Sequence, residues 1–478
     1  MSTNRALLSF YTLFGLLLRD ARAQCSTTIT PTNSIQPSVA SGYAAAVIAT
    51  GLTAPRSLEI DSAGNLLVIE SGLGLSNYIL DDSGGLCLSL SSKETLIDDS
   101  DLNHGLALSQ DGSTVYVSDT DKVYAYSYDA TARSVNTNRT VLVSGMQGTD
   151  HTTRTILVPK HVENHIVVGR GSLSNIDDMA LNEMTGISQV KAFDLSQIPS
   201  GGFDYSTSGT RLAWGVRNEV GIAEHPLDGG IWGVENSADQ LVRAGVDVHA
   251  TNPAEELNWF GYLNGTNVAQ QGSNFGYPTC FTVWDQSILP NAGKLIVGNQ
   301  FALDPTVSCL NYTSPRLAFH PHTAPLDMKF NDSGNTAWVS FHGSWNSPNP
   351  VGYYVAYVLF ENGQPVEPST SNASLNIVLA NQDNSKCPDN CFRPAGMKID
   401  GMGRLLVASD ASGEIYIVQR TTATANSTAN STQSGGGTQT SSGSSSTTSA
   451  GSAALLGIDG TLIGAGLFGL VAIMFGMI

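Results

Sequence analysis

Basic residues are scarce in this chain: 23 Lys plus Arg stand against 41 Asp plus Glu among 478 residues, for a formal charge of −18. That balance argues against nucleic acid and anionic membrane surfaces as partners. Cysteine is sparse too, with six in all, and no pair has metal-ligand spacing with a second pair or a His motif. Structural disulfides are the better reading. Six cysteines allow fifteen pairings, and sequence proximity suggests Cys25–Cys87, Cys280–Cys309 and Cys387–Cys391. Convincing amphipathic helices are few. Short runs rich in Val, Ile, Leu, Tyr and Trp recur instead, among them His165–Val168, Gly230–Val234, Thr336–Val339, Arg404–Ala408 and Glu414–Val418, each bounded by Gly, Asp, Asn or Pro. The pattern is all-β.

What the chain does have is a repeat. Six segments, starting near Pro55, Asn103, Asp150, Arg217, His322 and Arg393, each join a Gly- or Asp-centred turn to a short apolar strand. Such a unit cannot bury its own apolar face, so several copies must pack around a shared axis. Six copies predict a six-bladed β-propeller spanning roughly Ser41 to Gln419. Residues just ahead of each innermost strand then converge on one mouth of the central channel. Arg56, Asn103, His104, Asp150, His151, Arg217, Asn218, His322 and Arg393 occupy that position. Several arginines and histidines gathered at one mouth repel one another unless an anion sits among them. A multi-carboxylate ligand is the expectation. The interval between the fourth and fifth repeats is about twice the others, and a long insertion on a rigid scaffold usually builds a binding rim.

The ends suggest an address. Residues 1–23 read as a secretory signal, with Arg5, an apolar run from Ala6 to Leu18 and an Ala-x-Ala site at Ala21–Ala23, before a propeller over 24–420. A Ser/Thr/Gly stalk over 421–452 leads into a hydrophobic tail over 453–478, in which Thr461–Ile478 carries no charge. This fits a glycolipid-anchor signal, with Ser449, Gly451 and Ser452 as attachment points. The alternative is one membrane-spanning helix, which normally carries a basic flank, and no Lys or Arg follows Arg420. Seven Asn-x-Ser/Thr sequons agree with a secreted glycoprotein.

Read in order, AspHis at 150–151, GlyValArgAsn at 215–218, AsnProAlaGluGluLeuAsn at 252–258, SerAsnPheGlyTyrPro at 273–278, HisThrAlaPro at 322–325, PheHisGlySerTrpAsn at 341–346 and PheArgProAlaGlyMet at 392–397 resemble the soluble quinoprotein sugar dehydrogenases. The fungal pyranose/sorbosone dehydrogenase branch is most similar. The resemblance implies a six-bladed propeller that oxidises a sugar with pyrroloquinoline quinone (PQQ), a flat tricarboxylate with an ortho-quinone. It implies that Arg56, Arg217 and Arg393 hold the cofactor with Asn103, His104, Asn218 and His322. His151 would be the general base, its tautomer fixed by Asp150 or a backbone carbonyl. A Ca²⁺ would bridge the quinone and backbone carbonyls at Asn252 and Pro253, with Glu255 and Glu256 as possible oxygen ligands. The electron acceptor would be external, a cytochrome or a small quinone. Bacterial members carry two arginines one residue apart in the last repeat; here Arg393 is followed by Pro394 and Ala395, which predicts a weaker hold on PQQ. Two other classes fit a six-bladed propeller: a glycan-binding protein without chemistry, and a Ca²⁺-dependent lactonase, which needs inward Asp, Asn and Glu side chains.

Overall fold

The computed structural model describes residues 25, 29–32 and 36–421; the signal sequence, stalk and tail expected above lie outside the described residues. Six sheets of four or more strands follow one another along the chain. Their innermost strands are Pro55–Ile60, Leu106–Leu108, Ile156–Leu157, Glu219–Glu224, Pro325–Phe330 and Pro394–Ile399. Each contacts the next, and the last contacts the first. The ring is closed by an N-terminal strand, Tyr43–Ala49, which pairs antiparallel with Glu414–Arg420 of the sixth sheet. This is the six-bladed propeller that the repeat predicts.

Four of the five short apolar runs are second strands of blades, and Glu414–Val418 is the third strand of the sixth; they are apolar throughout because both of their faces are covered. In Leu66–Glu70, Leu66 and Val68 face the sixth blade, where Ile48, Leu406 and Ile417 join them. Leu67 and Ile69 face the second blade and meet Val115, Val117 and Tyr124. Four further clusters fill the remaining blade interfaces in the same way. Burying a Leu or Ile contributes about 1.5–3 kcal/mol, so no blade is stable without its neighbours.

An Asp or Asn side chain holds the hairpin between the first two strands in the first and sixth blades. Asp61 Oδ1 accepts N–H groups from Ala63 at 2.9 Å and Asn65 at 2.8 Å. Asp400 Oδ1 does the same for Met402 and Arg404, both at 2.9 Å. Gly64 and Gly403 turn the chain at φ +84° and +77°, where a side chain would be strained.

At the opposite end of the innermost strands, four of the six carry a register shift: between Pro55 and Ser57, Glu219 and Gly221, Pro325 and Asp327, and Pro394 and Met397. A bulge re-aims the side chains beside it, and these four bulges lie where Arg56, Arg217–Asn218, His322 and Arg393 enter. The insertion falls between Glu255–Tyr262 and Leu317–Phe319 of blade four. It holds the hairpin of Cys280–Thr282 with Gln300–Ala302 and a small core of its own in which Tyr277, Phe281, Val283 and Phe301 pack on Ala180, Ala238 and Val248. All three expected disulfides are present, Cys25–Cys87, Cys280–Cys309 and Cys387–Cys391.

Candidate active site at the channel mouth

Two linked groups of side chains occupy the mouth. In the first, Arg56 Nη1 lies 2.5 Å from Asp410 Oδ2, and the other oxygen of Asp410 lies 2.8 Å from His342 Nε2. Arg393 continues the chain: Nη2 donates to His342 Nδ1 at 2.9 Å, and Nε and Nη2 donate to the carbonyls of His342 and Gly343, each at 3.1 Å. Because Nδ1 accepts from a guanidinium, the His342 proton sits on Nε2 and points at Asp410. Burial holds the His342 imidazole down to about 4, with the Asp410 charge opposing it. Burial alone would raise the Asp410 carboxyl; His342 and Arg56 outweigh it and keep the group far below the carboxylate range.

In the second, Arg217 donates from Nε to Asn175 O at 3.0 Å, from Nη2 to Asn175 Oδ1 at 3.0 Å and from Nη1 to Asn236 O at 3.1 Å. Asp239 stands 4.0 Å from Arg217 Nη2 and 3.3 Å from His322 Nδ1. Burial opposes protonation of His322, but Asp239 and the carbonyl of His249, 2.7 Å from His322 Nε2, raise it above the usual imidazole value. His322 and Ala324 hold left-handed backbone, at φ 63° and 49°, the kind of strain that clusters at functional sites. The insertion braces this half, since the Tyr277 hydroxyl donates to Asn175 O at 3.0 Å. Asn346 hydrogen-bonds Asp239 through its side chain.

His151 lies beside the second group. A Cβ on Gly171 would come 2.5 Å from Asn218 Oδ1 and 2.7 Å from His151 Cβ, so both side chains close on that glycine. His151 Nδ1 sits 2.9 Å from the carbonyl of Ser172 and 3.0 Å from its hydroxyl. The carbonyl therefore takes the Nδ1 proton and leaves the Nε2 lone pair free; this, and not Asp150, sets the tautomer. Burial, then the Arg217 charge, holds the imidazole down to about 3. Asp150 is half-buried on the same loop. Arg154, wholly buried, donates to the carbonyls of His151 at 2.9 Å and Met146 at 2.5 Å, pinning the loop.

His104 is buried near Arg56, and burial drives its imidazole well below the usual value; its Nδ1 has no partner. Asn103 spends its amide nitrogen on Thr120 Oγ1 and Thr152 O, at 3.2 and 3.0 Å, and its buried Oδ1 is unpartnered. Asn252 precedes a cis peptide to Pro253, and its side chain is used up on Trp284 and Asp285 backbone groups. That leaves only carbonyls as possible ligands there. Both carboxylate oxygens of Glu255 accept backbone N–H groups, from Ser237 at 2.7 Å and Ala324 at 3.2 Å, and burial lifts its carboxyl to about 7.

Sequence reasoning missed Asp410, His342, Asp239, Asn175 and Arg154 as working parts. His342 stood inside a quoted motif without a role. Asp410 lies in an ordinary SerAspAlaSerGly turn that carries no signal. The acids of the neighbouring turns do not serve these arginines: Asp61 is taken by Asn65 and Tyr128, and Asp400 by Arg404.

Asp239, His249 and His322 are close enough to hold a metal. However, His249 Nδ1 already accepts the Gln240 N–H at 2.7 Å, so its proton sits on Nε2 and no lone pair is left for an ion. Nor does the mouth offer the free inward carboxylates of a lactonase, because Asp410 and Asp239 are both committed to cations.

The fold is thus a six-bladed propeller whose channel mouth carries Arg56, Arg217, Arg393 and His322. Residues 37–421 match the TrAA12-like family, and the chain belongs to it. It is 44% identical over 425 residues to a pyrroloquinoline quinone-dependent sugar dehydrogenase of Hypocrea jecorina, covering 87% of this chain and 96% of the relative. A calcium structure of the Trichoderma reesei family AA12 enzyme superposes with a TM-score of 0.80 at 44% identity, over 83% of this chain and 100% of that one. The holo PQQ domain of a Coprinopsis cinerea pyranose dehydrogenase superposes with a TM-score of 0.77 at 34% identity, over 83% of this chain and 99% of that domain.

Proposed function

We propose that this protein is a PQQ-dependent sugar dehydrogenase whose base is His151. The observation that carries the reading is the set of buried Arg56 and Arg217 and half-buried Arg393 at the mouth, together with unpartnered atoms of Asn103 and His104. Those atoms and guanidinium faces fit a flat tricarboxylate: a planar guanidinium meets a carboxylate with two parallel hydrogen bonds. Bound there, PQQ would supply a quinone carbon able to accept a hydride from a sugar carbon.

The chain's own residues do the rest. Ser172 holds His151 with Nε2 unprotonated, ready to take the proton of a sugar hydroxyl. A base held near 3 is weak, and part of that depression comes from Arg217. Once carboxylates meet the Arg217 charge, His151 becomes more basic, so cofactor binding and base strength are coupled. Trp345, 48% exposed beside Asn346, offers a flat apolar face to a sugar ring. Calcium at the Asn252–Pro253 carbonyls would act as a Lewis acid. Electrons would leave to an external acceptor, and a lipid-anchored secreted address follows from the sequence at both ends. The test is reconstitution with PQQ and CaCl₂ and assay with aldoses or ketosugars and a ferrocenium acceptor. Sugar-dependent reduction is expected, and His151→Ala should abolish it with PQQ still bound. Full activity in His151→Ala would reject the assignment of the base.

A further inference from the structure

Blade four holds a second set of acids that the mouth does not use. Glu219 stands opposite Glu235 on the neighbouring strand, and Glu235 opposite Glu256 on the next. They are 3%, 3% and 4% exposed. Like charges directly opposite on a sheet repel, and buried carboxylates persist only when matched. One group stands among them. Asn258 Nδ2 lies 3.2 Å from Glu235 Oε2, 3.2 Å from Glu256 Oε2 and 3.4 Å from Glu219 Oε2. An amide nitrogen has two N–H donors, so three acceptors are one too many.

Around this group two buried polar atoms have no partner: Glu219 Oε1 and Asn258 Oδ1. Thr282 comes from the insertion, is fully buried and hydrogen-bonds Glu256 through its hydroxyl, so a second segment brings another oxygen to the acids. A proton shared between Glu235 and Glu256 relieves part of the repulsion, but Glu219 Oε1 and Asn258 Oδ1 stay without a partner. Space for the Glu219 carboxyl is itself built in, since a Cβ on Gly233 would stand 2.2 Å from Oε1.

We infer that Glu219, Glu235, Glu256, Asn258 and Thr282 form a buried divalent-cation site of calcium type, separate from any ion at the mouth. Three carboxylates, an amide and a hydroxyl are hard oxygen donors, the set that suits Ca²⁺ rather than zinc or copper. Turning the Asn258 amide by half a turn directs Oδ1 at the ion and removes the surplus of acceptors around Nδ2. Glu235 Oε1 also accepts the backbone N–H of Arg217 at 2.8 Å, so the site underpins the strand that delivers Arg217.

The test uses the full chain without PQQ, stripped with EDTA, exchanged into CaCl₂ or MgCl₂ and analysed for metal content and Tm. We expect one calcium retained per chain and a Tm several degrees higher in calcium than in EDTA. Glu256→Gln should bind at least about tenfold more weakly and lose the Tm shift. Thr282→Val, which keeps all three acids, should bind several-fold more weakly and guards against misfolding of the first variant. No retained calcium in the wild type, or equal retention in all three proteins, overturns the inference. PQQ is absent throughout, so the result is independent of the dehydrogenase reading.

Discussion

The two ends of the central channel hold their cations differently. Toward the far end of the innermost strands, a cavity of about 510 Å³ is lined by Lys160, Lys398, Lys329, Glu59 and Asp327 among others, and two of its three lysines are paired with an acid: Lys398 with Glu59 and Lys329 with Asp327. At the mouth, Arg217 and Arg393 are satisfied almost wholly by carbonyls and by neutral Asn175 and His342. A lysine paired with a carboxylate is neutral as a unit, whereas an arginine held by carbonyls keeps its full charge. In a protein of formal charge −18, Asp410 meets Arg56 and Asp239 meets Arg217, while Arg393 has no carboxylate partner among the described residues, and that difference supports the proposal of an anion site.

The comparison breaks first at the base. His151→Ala should lower turnover about 10²- to 10⁴-fold while calorimetry finds PQQ affinity little changed; a parallel loss of both would make His151 a structural residue. Next comes Arg217→Met, which removes charge-assisted bonds worth about 1.5–3 kcal/mol and should weaken PQQ about 10- to 150-fold. The matching change at the far end, Lys398→Met, should alter PQQ affinity by less than about twofold and stability by less than about 1 kcal/mol, as partly exposed ion pairs do. Equal effects on PQQ from both ends would erase the distinction.

A finer test is pH. Without cofactor His151 is held near 3 by burial and by Arg217, so it is neutral at every working pH. With the Arg217 charge met, its value should rise but stay below the ordinary value of about 6.5, because the burial remains. The acid limb of kcat/KM in the holoenzyme should therefore fall between about 3 and about 6.5. A base that loses activity only by protonation gains rate as pH rises through that window and holds it above; a midpoint above it contradicts the assignment.

Much of the fold was legible because the repeat is a packing constraint: Leu66 to Ile69 can be apolar on both faces only between two blades. The converging residues Arg56, His151, Arg217, His322 and Arg393 were legible for the same reason, since blade position fixes where a strand begins. Their partners were not. Asp410 sits at the far end of a second strand and Asp239 in a loop, and neither position has a phase in the repeat. Asn175 reaches Arg217 only because the insertion braces its loop through Tyr277. The row Glu219, Glu235 and Glu256 was hidden for another reason: register between strands decides whether three glutamates are scattered or stacked.

The most direct test of the central claim is a calorimetric titration of the purified wild-type chain with PQQ in CaCl₂ at low and high NaCl. One PQQ per chain, bound more weakly as salt screens the mouth arginines, is the predicted result. The absence of saturable binding would contradict the account.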